Sequence, residues 1–165
     1  MFKNYTILLV EDDINLQKYM TQILEDACSK LFVASDGKEG LAMYKLYTPD
    51  IIISDLNMPK MDGLSMCRDI KVDNFKQPII LFTGHGDVAK LEKAINIGIN
   101  AFISKPILDI DILFKTIKKI IKQIDYNIDV NSNQKKAILE KKKVKNLMDQ
   151  ILYDDHDYIT YDALK

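Results

Sequence analysis

Short apolar runs alternate along this chain with longer segments in which apolar residues recur at helical spacing. The runs of strand length are Thr6–Val10, Leu31–Ala34, Asp50–Ser54, Ile79–Phe82 and Ala101–Ser104. Runs this short, bounded by polar residues, are typical of strands buried on both faces of a parallel sheet. A helical segment follows each run, and the last is predicted over Ile107–Ile124. Five strands in alternation with helices predict an α/β fold with a doubly wound, five-stranded parallel sheet.

Charged residues stand directly after three of these runs. They are, in chain order, Glu11, Asp12, Asp13, Asp55 and Lys105. The carboxyl ends of parallel strands lie along one edge of a sheet, which is where open α/β sheets bind ligands. Carboxylates brought together there without a cation would repel one another. Acids with one lysine at a shared edge therefore indicate a hard divalent metal ion and an anionic group.

The order of the strands decides whether these acids meet. Two orders are common for such a pattern, and the order 2-1-3-4-5 places the first and third strands side by side. Glu11, Asp12 and Asp55 would then share one crevice. The alternation alone does not choose between the two orders, but the grouping of the acids favours 2-1-3-4-5. Asp13 is more typical of a cap on the first helix, where an acid suits the helix dipole.

Composition narrows the class of protein. The chain has 165 residues, of which 47% are hydrophobic and 28% charged, and its net charge is −1. This balance is typical of a soluble protein and gives no overall field that attracts nucleic acid or an anionic membrane. No apolar stretch approaches the roughly 20 residues that span a bilayer, and the first residues lack a signal-peptide pattern. Cys28 and Cys67, both in helix-like patterns, are expected to be reduced thiols in the cytoplasm.

Four motifs occur in a fixed order, each at or after the end of a predicted strand. They are Leu8–Asp13, Asp55–Gly63, Thr83-Gly84 and Lys105-Pro106. Together they resemble the receiver domain of two-component response regulators over residues 4–124. The resemblance implies a flavodoxin-like fold in which Asp55 takes a phosphoryl group from a histidine kinase or phosphotransfer protein. A carboxylate can attack phosphorus as a nucleophile and form a mixed anhydride. The chain would be a signalling phosphoacceptor and not an enzyme with a metabolite substrate.

The same resemblance implies a metal ion beside Asp55. Asp12, Asp55 and the backbone carbonyl of Asn57 would bind it directly, and Glu11 would bind it through a water molecule. Mg²⁺ prefers such oxygen ligands, and Mn²⁺ is expected to substitute for it.

Other residues are expected to contact the phosphoryl group or respond to it. Lys105 would pair with one phosphoryl oxygen, Thr83 would donate its hydroxyl, and Gly84 would leave its backbone N–H open. Thr83 and the aromatic Phe102 would form the switch, although Phe102 as plain core is an alternative. Asn57 and His85 would tune the lifetime of the phosphoryl group.

Two other classes of protein are possible alternatives. A hydrolase of the aspartyl-phosphate type carries a second aspartate, the general acid, two residues after its nucleophile. Here that position is Asn57, which cannot donate and recover a proton in the same way. A phosphate-independent interaction module is the other alternative, and the acids, Thr83 and Lys105 argue against it.

The segment after the receiver-like part is the least defined. Residues 125–133 are rich in Asn and Asp and predict a break, so we divide the chain into a receiver domain (1–124), a linker (125–133) and a helical extension (134–165). The apolar spacing of Gln134–Leu152 resembles a coiled coil and favours a connection to an output domain outside the given chain. Alternatives are packing on the receiver or on a second copy, or contact of its lysines with nucleic acid or an acidic surface.

Partners follow from these expectations. Homodimers would form through the face of the fourth helix, fifth strand and fifth helix, or through the C-terminal helix. Nucleic acid would be bound through an absent output domain, if at all, and no membrane partner is expected.

Overall fold

The secondary structure alternates strand and helix, as the sequence predicts. The structure is a computed structural model that describes residues 1–84, 87–107 and 109–154. The strands are β1 (Phe2–Val10), β2 (Cys28–Ala34), β3 (Ile51–Asp55), β4 (Ile79–Thr83) and β5 (Ala101–Ser104). The helices are α1 (Ile14–Glu25), α2 (Gly37–Tyr47), α3 (Gly63–Asp73), α4 (Val88–Ile97) and α5 (Ile110–Asp154). All predicted strands are confirmed, and β1 and β2 begin earlier than their apolar runs indicate.

The five strands form one parallel sheet in the order β2-β1-β3-β4-β5. The predicted order is therefore confirmed. Val10 pairs with Ser54, Asp55 pairs with Phe82, and Thr83 pairs with Ser104 across the next pair of strands. These pairings bring the carboxyl ends of β1, β3, β4 and β5 to one edge of the sheet.

The core lies on both sides of the central strands. Every residue of β3 and of β4 is buried, because helices cover both faces of a parallel sheet. Leu8, Ile52 and Leu81, from three neighbouring strands, belong to one buried apolar cluster that also includes Met66 of α3. The short strands are thus anchored along their whole length, so the residues at their ends have fixed positions.

Local signals explain where most helices begin and end. The side chains of Asp13, Asp36 and Asp62 accept backbone N–H groups at the starts of α1, α2 and α3, as N-cap residues do. The predicted cap by Asp13 is confirmed. Gly98 ends α4 with a positive φ of 84°, a conformation that glycine adopts without steric cost.

Both cysteines are buried and free. The helical pattern predicted around Cys67 is confirmed, but Cys28 is the first residue of β2, so its helical prediction is wrong. Burial raises the pKa of the Cys67 thiol to about 12 and also raises that of Cys28.

We expect neither thiol to react with an aromatic disulfide reagent in the folded protein at pH 8. With a pKa near 12, the thiolate fraction of Cys67 is about one in ten thousand at that pH. The reaction is measured by the absorbance of the aromatic thiol that the reagent releases. This release should be slow in buffer and complete for both cysteines in denaturant. A Cys28→Ser variant isolates Cys67, and fast labelling of that variant while it is folded would contradict the prediction.

Helix α5 continues well past the receiver-like part. It runs from Ile110 to Asp154, so the predicted break at residues 125–133 is wrong. The segment contains neither Gly nor Pro, and Asn and Asp disfavour a helix only weakly. The functional division of the chain at 125–133 stays a prediction.

The chain forms two compact units, Met1–Ile120 and Ile121–Lys165. The described part of the second unit is helical, and several of its large apolar side chains are exposed, namely Tyr126, Ile128, Ile138, Leu139 and Val144. Residues 155–165 of the predicted extension lie outside the described residues. Among the described helices, none has the length and apolar character required to cross a membrane.

Candidate functional site

Three carboxylates meet at the ends of β1 and β3. Glu11 and Asp12 directly follow β1, and Asp55 is the last residue of β3. One oxygen atom from each of the three residues lies within 4.8 Å of the others. Glu11 and Asp55 are buried and Asp12 is exposed, so the cluster opens to solvent on one side. Such a group of hard oxygen donors fits the ligand preference of Mg²⁺.

Lys105 offsets part of the negative charge of this cluster. Its Nζ atom lies 2.9 Å from Glu11 Oε2 and 3.1 Å from Asp55 Oδ1. Its backbone N–H donates to the carbonyl of Thr83 over 2.7 Å, and its peptide bond to Pro106 is cis. The lysine that follows β5 is therefore held against the acids that follow β1 and end β3.

Burial and charge change the pKa values of this pair. Burial raises the pKa of Glu11, and the hydrogen bond and charge of Lys105 oppose that rise only in part. For Lys105, burial disfavours the ammonium ion, but its hydrogen bonds and charge attraction to Glu11 and Asp55 raise the pKa overall. The lysine is therefore a firmly held cation, whereas Glu11 carries a costly buried charge.

Asp55 itself is fixed by its neighbours in the chain. Its Oδ1 atom accepts the backbone N–H of Leu56 over 2.8 Å, and only 6% of the residue is exposed. Gly63 closes the loop behind it, because its N–H donates to the carbonyl of Leu56 over 3.0 Å. A Cβ atom at Gly63 would lie 2.0 Å from the carbonyl oxygen of Asp55. The loop therefore requires glycine at this position.

The end of β4 lies next to this group. Thr83 is its last residue and is 6% exposed. The N–H of Gly84 was predicted to be open, but it donates to Asp87 Oδ2 over 2.7 Å. From its place directly before α4, Asp87 would be expected to cap that helix, but its side chain makes no capping bond. The side chain of Asn57 also contacts this carboxylate, at 3.1 Å.

The remaining predicted residues lie in different surroundings. Phe102 of β5 pairs with Leu81 and is half-buried against the core cluster. Its position suits either a switch or plain core. His85 lies outside the described residues.

A second contact network, which the sequence did not indicate, fixes the loop between β3 and α3. The buried carboxylate of Asp36 pairs with the ammonium of Lys60, and Lys60 has a positive φ of 62°. The N–H of Gly37 donates to the carbonyl of Met61 over 3.2 Å. The hydrogen bond from Lys60 lowers the pKa of Asp36. The loop that follows Asp55 is thus tied to the start of α2.

This fold and this site define a class of protein. The family described as the response regulator receiver domain matches residues 7–118, and the chain belongs to that family. Receiver domains are signalling domains, and the family interacts with histidine kinases or phosphotransfer proteins. The expected resemblance is therefore confirmed.

Relatives and solved structures agree with this assignment. The chain is 33% identical over 106 residues to "Probable C4-dicarboxylate response regulator DctR" of Priestia megaterium, a match that covers 63% of this chain and 46% of the relative. It is 34% identical over 100 residues to the chemotaxis protein CheY of Halobacterium salinarum, covering 61% of this chain and 83% of CheY. A response regulator receiver domain from Clostridium thermocellum superposes with a TM-score of 0.69 at 27% identity, covering 74% of this chain and 98% of that one. The chain thus spans about half the length of DctR and most of CheY.

Proposed function

We propose that this chain accepts a phosphoryl group on Asp55 from a histidine kinase or phosphotransfer protein and changes conformation in response. The observation that carries the proposal is the meeting of Glu11, Asp12 and Asp55 within 4.8 Å, with Lys105 bound to two of them. An acid cluster with one internal cation suits a reaction that brings in a metal ion and an anion.

The transfer step uses the carboxylate of Asp55 as nucleophile. Its Oδ1 atom is held by Leu56 and Lys105, and within the described part of the chain its Oδ2 atom accepts no hydrogen bond. Oδ2 attacks phosphorus, an O–P bond forms, and the bond from phosphorus to the donor breaks with its electron pair leaving on the donor. Hydrolysis reverses the modification when water attacks phosphorus and inorganic phosphate leaves.

Mg²⁺ would be held directly by Asp12, Asp55 and the backbone carbonyl of Asn57 and through a water molecule by Glu11, with Mn²⁺ as a substitute. When bound, the metal ion supplies positive charge to the phosphoryl oxygens. Lys105 holds a further oxygen as a compact point charge, and it already lies 3.1 Å from the attacking carboxylate. Thr83 donates its hydroxyl to another oxygen.

Phosphorylation would then act as the switch. It adds close to two negative charges, toward which Thr83 moves, and Phe102 turns inward behind it. Asn57 and His85 tune the lifetime. The moving surface of α4, β5 and the start of α5, or the C-terminal part of α5, is where a second copy or an output domain would bind in the cytoplasm.

The direct test is incubation with acetyl phosphate, followed by intact mass. We expect a phosphoryl adduct with Mg²⁺, none in EDTA, and none in Asp55→Asn. Asp69→Asn, at an exposed position of α3, is the matched control and should keep the adduct. A wild-type chain that stays unmodified with Mg²⁺ would contradict the proposal.

A further inference from the structure

The carboxylate of Asp87 holds a backbone N–H that a phosphoryl group on Asp55 would need. Gly84 N donates to Asp87 Oδ2 over 2.7 Å. Gly84 follows the last residue of β4, and Asp55 pairs with Phe82, so this N–H lies at the sheet edge where β3 ends. A hydrogen bond to an ionised carboxylate is shorter and stronger than one to a neutral acceptor. An anion therefore already occupies this donor.

A second contact keeps the carboxylate in place. Asn57 Nδ2 lies 3.1 Å from Asp87 Oδ1 and 3.3 Å from Oδ2. The Oδ1 atom of Asn57 accepts a hydrogen bond from the ammonium of Lys90. An amide between a carboxylate and an ammonium has only one favourable orientation, since just one of its ends donates. The network links the loop after β3, the loop after β4 and the first turn of α4.

Asp87 also has an unused alternative. It stands at the N-cap position of α4 but makes no side-chain cap, whereas Asp13, Asp36 and Asp62 all cap their helices. The first N–H groups of a helix attract a carboxylate at this position. Asp87 can therefore leave Gly84 and Asn57 for another set of donors nearby.

We propose that Asp87 is a positioning residue whose carboxylate stands in for the phosphoryl group on Gly84 N–H until phosphorylation displaces it. The inference rests on the proposed function of Asp55. One N–H group cannot donate fully to two anions, and the two anions also repel each other. A phosphoryl group therefore gains this donor only after Asp87 leaves. Displacing Asp87 from Gly84 slows formation of the phosphorylated state. It does not slow hydrolysis, because Asp87 has already moved before hydrolysis begins. When Asp87 leaves, Asn57 loses the contact that holds it, and this also frees Lys90, which donates to Asn57. Because Lys90 lies in α4, the conformational change reaches that helix.

The test compares Asp87→Ala with Glu92→Ala, which removes the same charge from an exposed position of α4. Initial rates of adduct formation with acetyl phosphate and Mg²⁺ should rise about tenfold in Asp87→Ala, the lower end of the effect of removing one competing hydrogen bond to a charged group. Glu92→Ala should change the rate by less than about twofold, because exposed charges are screened. Asp87→Asn keeps an acceptor without the charge and should lie between wild type and Asp87→Ala.

Two further readouts separate positioning from a general effect on the fold. Hydrolysis of the purified adduct should change less than its formation. In amide NMR spectra, the Gly84 proton should shift upfield in unphosphorylated Asp87→Ala, while the wild type should show a change of the same proton on addition of beryllofluoride and Mg²⁺. Thermal unfolding establishes whether each variant is folded. If Asp87→Ala does not fold, the comparison is made with Asp87→Asn instead.

The outcomes distinguish this inference from the proposed function. Rates for Asp87→Ala that equal those for Glu92→Ala, or that fall below wild type, overturn the role of Asp87 alone. A hydrolysis rate that changes in Asp87→Ala as much as the rate of formation also overturns the role of Asp87. A wild-type chain that forms no adduct on Asp55 overturns both proposals.

Discussion

Gly63→Ala is expected to disrupt the site from behind and to destabilise the whole domain. The added Cβ would lie 2.0 Å from the carbonyl oxygen of Asp55 and 3.1 Å from the Cα of Leu56. Both contacts are with backbone at the end of a fully buried strand, so no side chain can rotate to relieve them. Either α3 or the end of β3 must move, at a cost of about 3 kcal/mol, the upper part of the usual range for overpacking. Chemical unfolding measures that loss.

The matched control is Gly98→Ala at the end of α4. A Cβ there meets no atom within 4 Å, but the positive φ of 84° still costs about 1 kcal/mol. Phosphorylation by acetyl phosphate should fall sharply in Gly63→Ala and stay near wild type in Gly98→Ala. Equal effects of the two substitutions on both stability and phosphorylation would show that the contact with Asp55 has no special importance.

Lys105→Met is expected to slow phosphorylation about a hundredfold, as does loss of one donor that stabilises transition-state charge. It also leaves Glu11, which is fully buried, without its cation. Breaking a buried pair typically costs about 3–5 kcal/mol, and we expect about 2 kcal/mol because the lysine side chain is 24% exposed and the charge is partly solvated. Thermal unfolding in EDTA measures this loss.

The pH dependence of Lys105→Met follows from the raised pKa of Glu11. An acid whose pKa is higher in the folded than in the unfolded state loses folding stability as pH rises from the unfolded toward the folded value. Without Lys105 that difference grows, so the variant should be most destabilised at pH 8 and least at pH 5. Mg²⁺ should raise the melting temperature more in the variant than in wild type, since it replaces the missing charge.

Lys143→Met serves as the control for removal of a lysine. Its Nζ atom pairs with Glu140 at 3.8 Å, and both side chains are mostly exposed, so the pair contributes little. Phosphorylation and unfolding should match wild type at both pH values. A Lys105→Met protein that behaves like this control would remove the lysine from the site.

The strand pattern predicted much of this molecule because several constraints agree. Buried parallel strands require continuous apolar runs, and the acids at the ends of β1 and β3 favoured the order that brings them together. Glu11, Asp12, Asp55 and Lys105 were predicted to converge for that reason, and the structure places them in contact. The predicted convergence of these side chains depended on the direction of the strands and on the register of their pairing. The sequence strongly determines both.

The errors concern choices between contacts of similar energy. Asp87 has the spacing of an N-cap, but its carboxylate binds Gly84 instead. The sequence alone does not show which of these two partners the carboxylate prefers. Lys90 was missed because its contact with Asn57 forms only when two loops meet. Residues 125–133 were predicted to break the helix on polar composition, yet each Asn or Asp costs a helix only about 0.5 kcal/mol.

The depth of Asp55 has a consequence for which donors can reach it. With 6% of the residue exposed, a phosphoryl donor would reach the carboxylate of Asp55 only through a small solvent-exposed area. A phosphorylated imidazole presents phosphorus at the tip of a flat, slender ring, and acetyl phosphate is itself small. We therefore expect Asp55 to accept slender donors more readily than bulky ones.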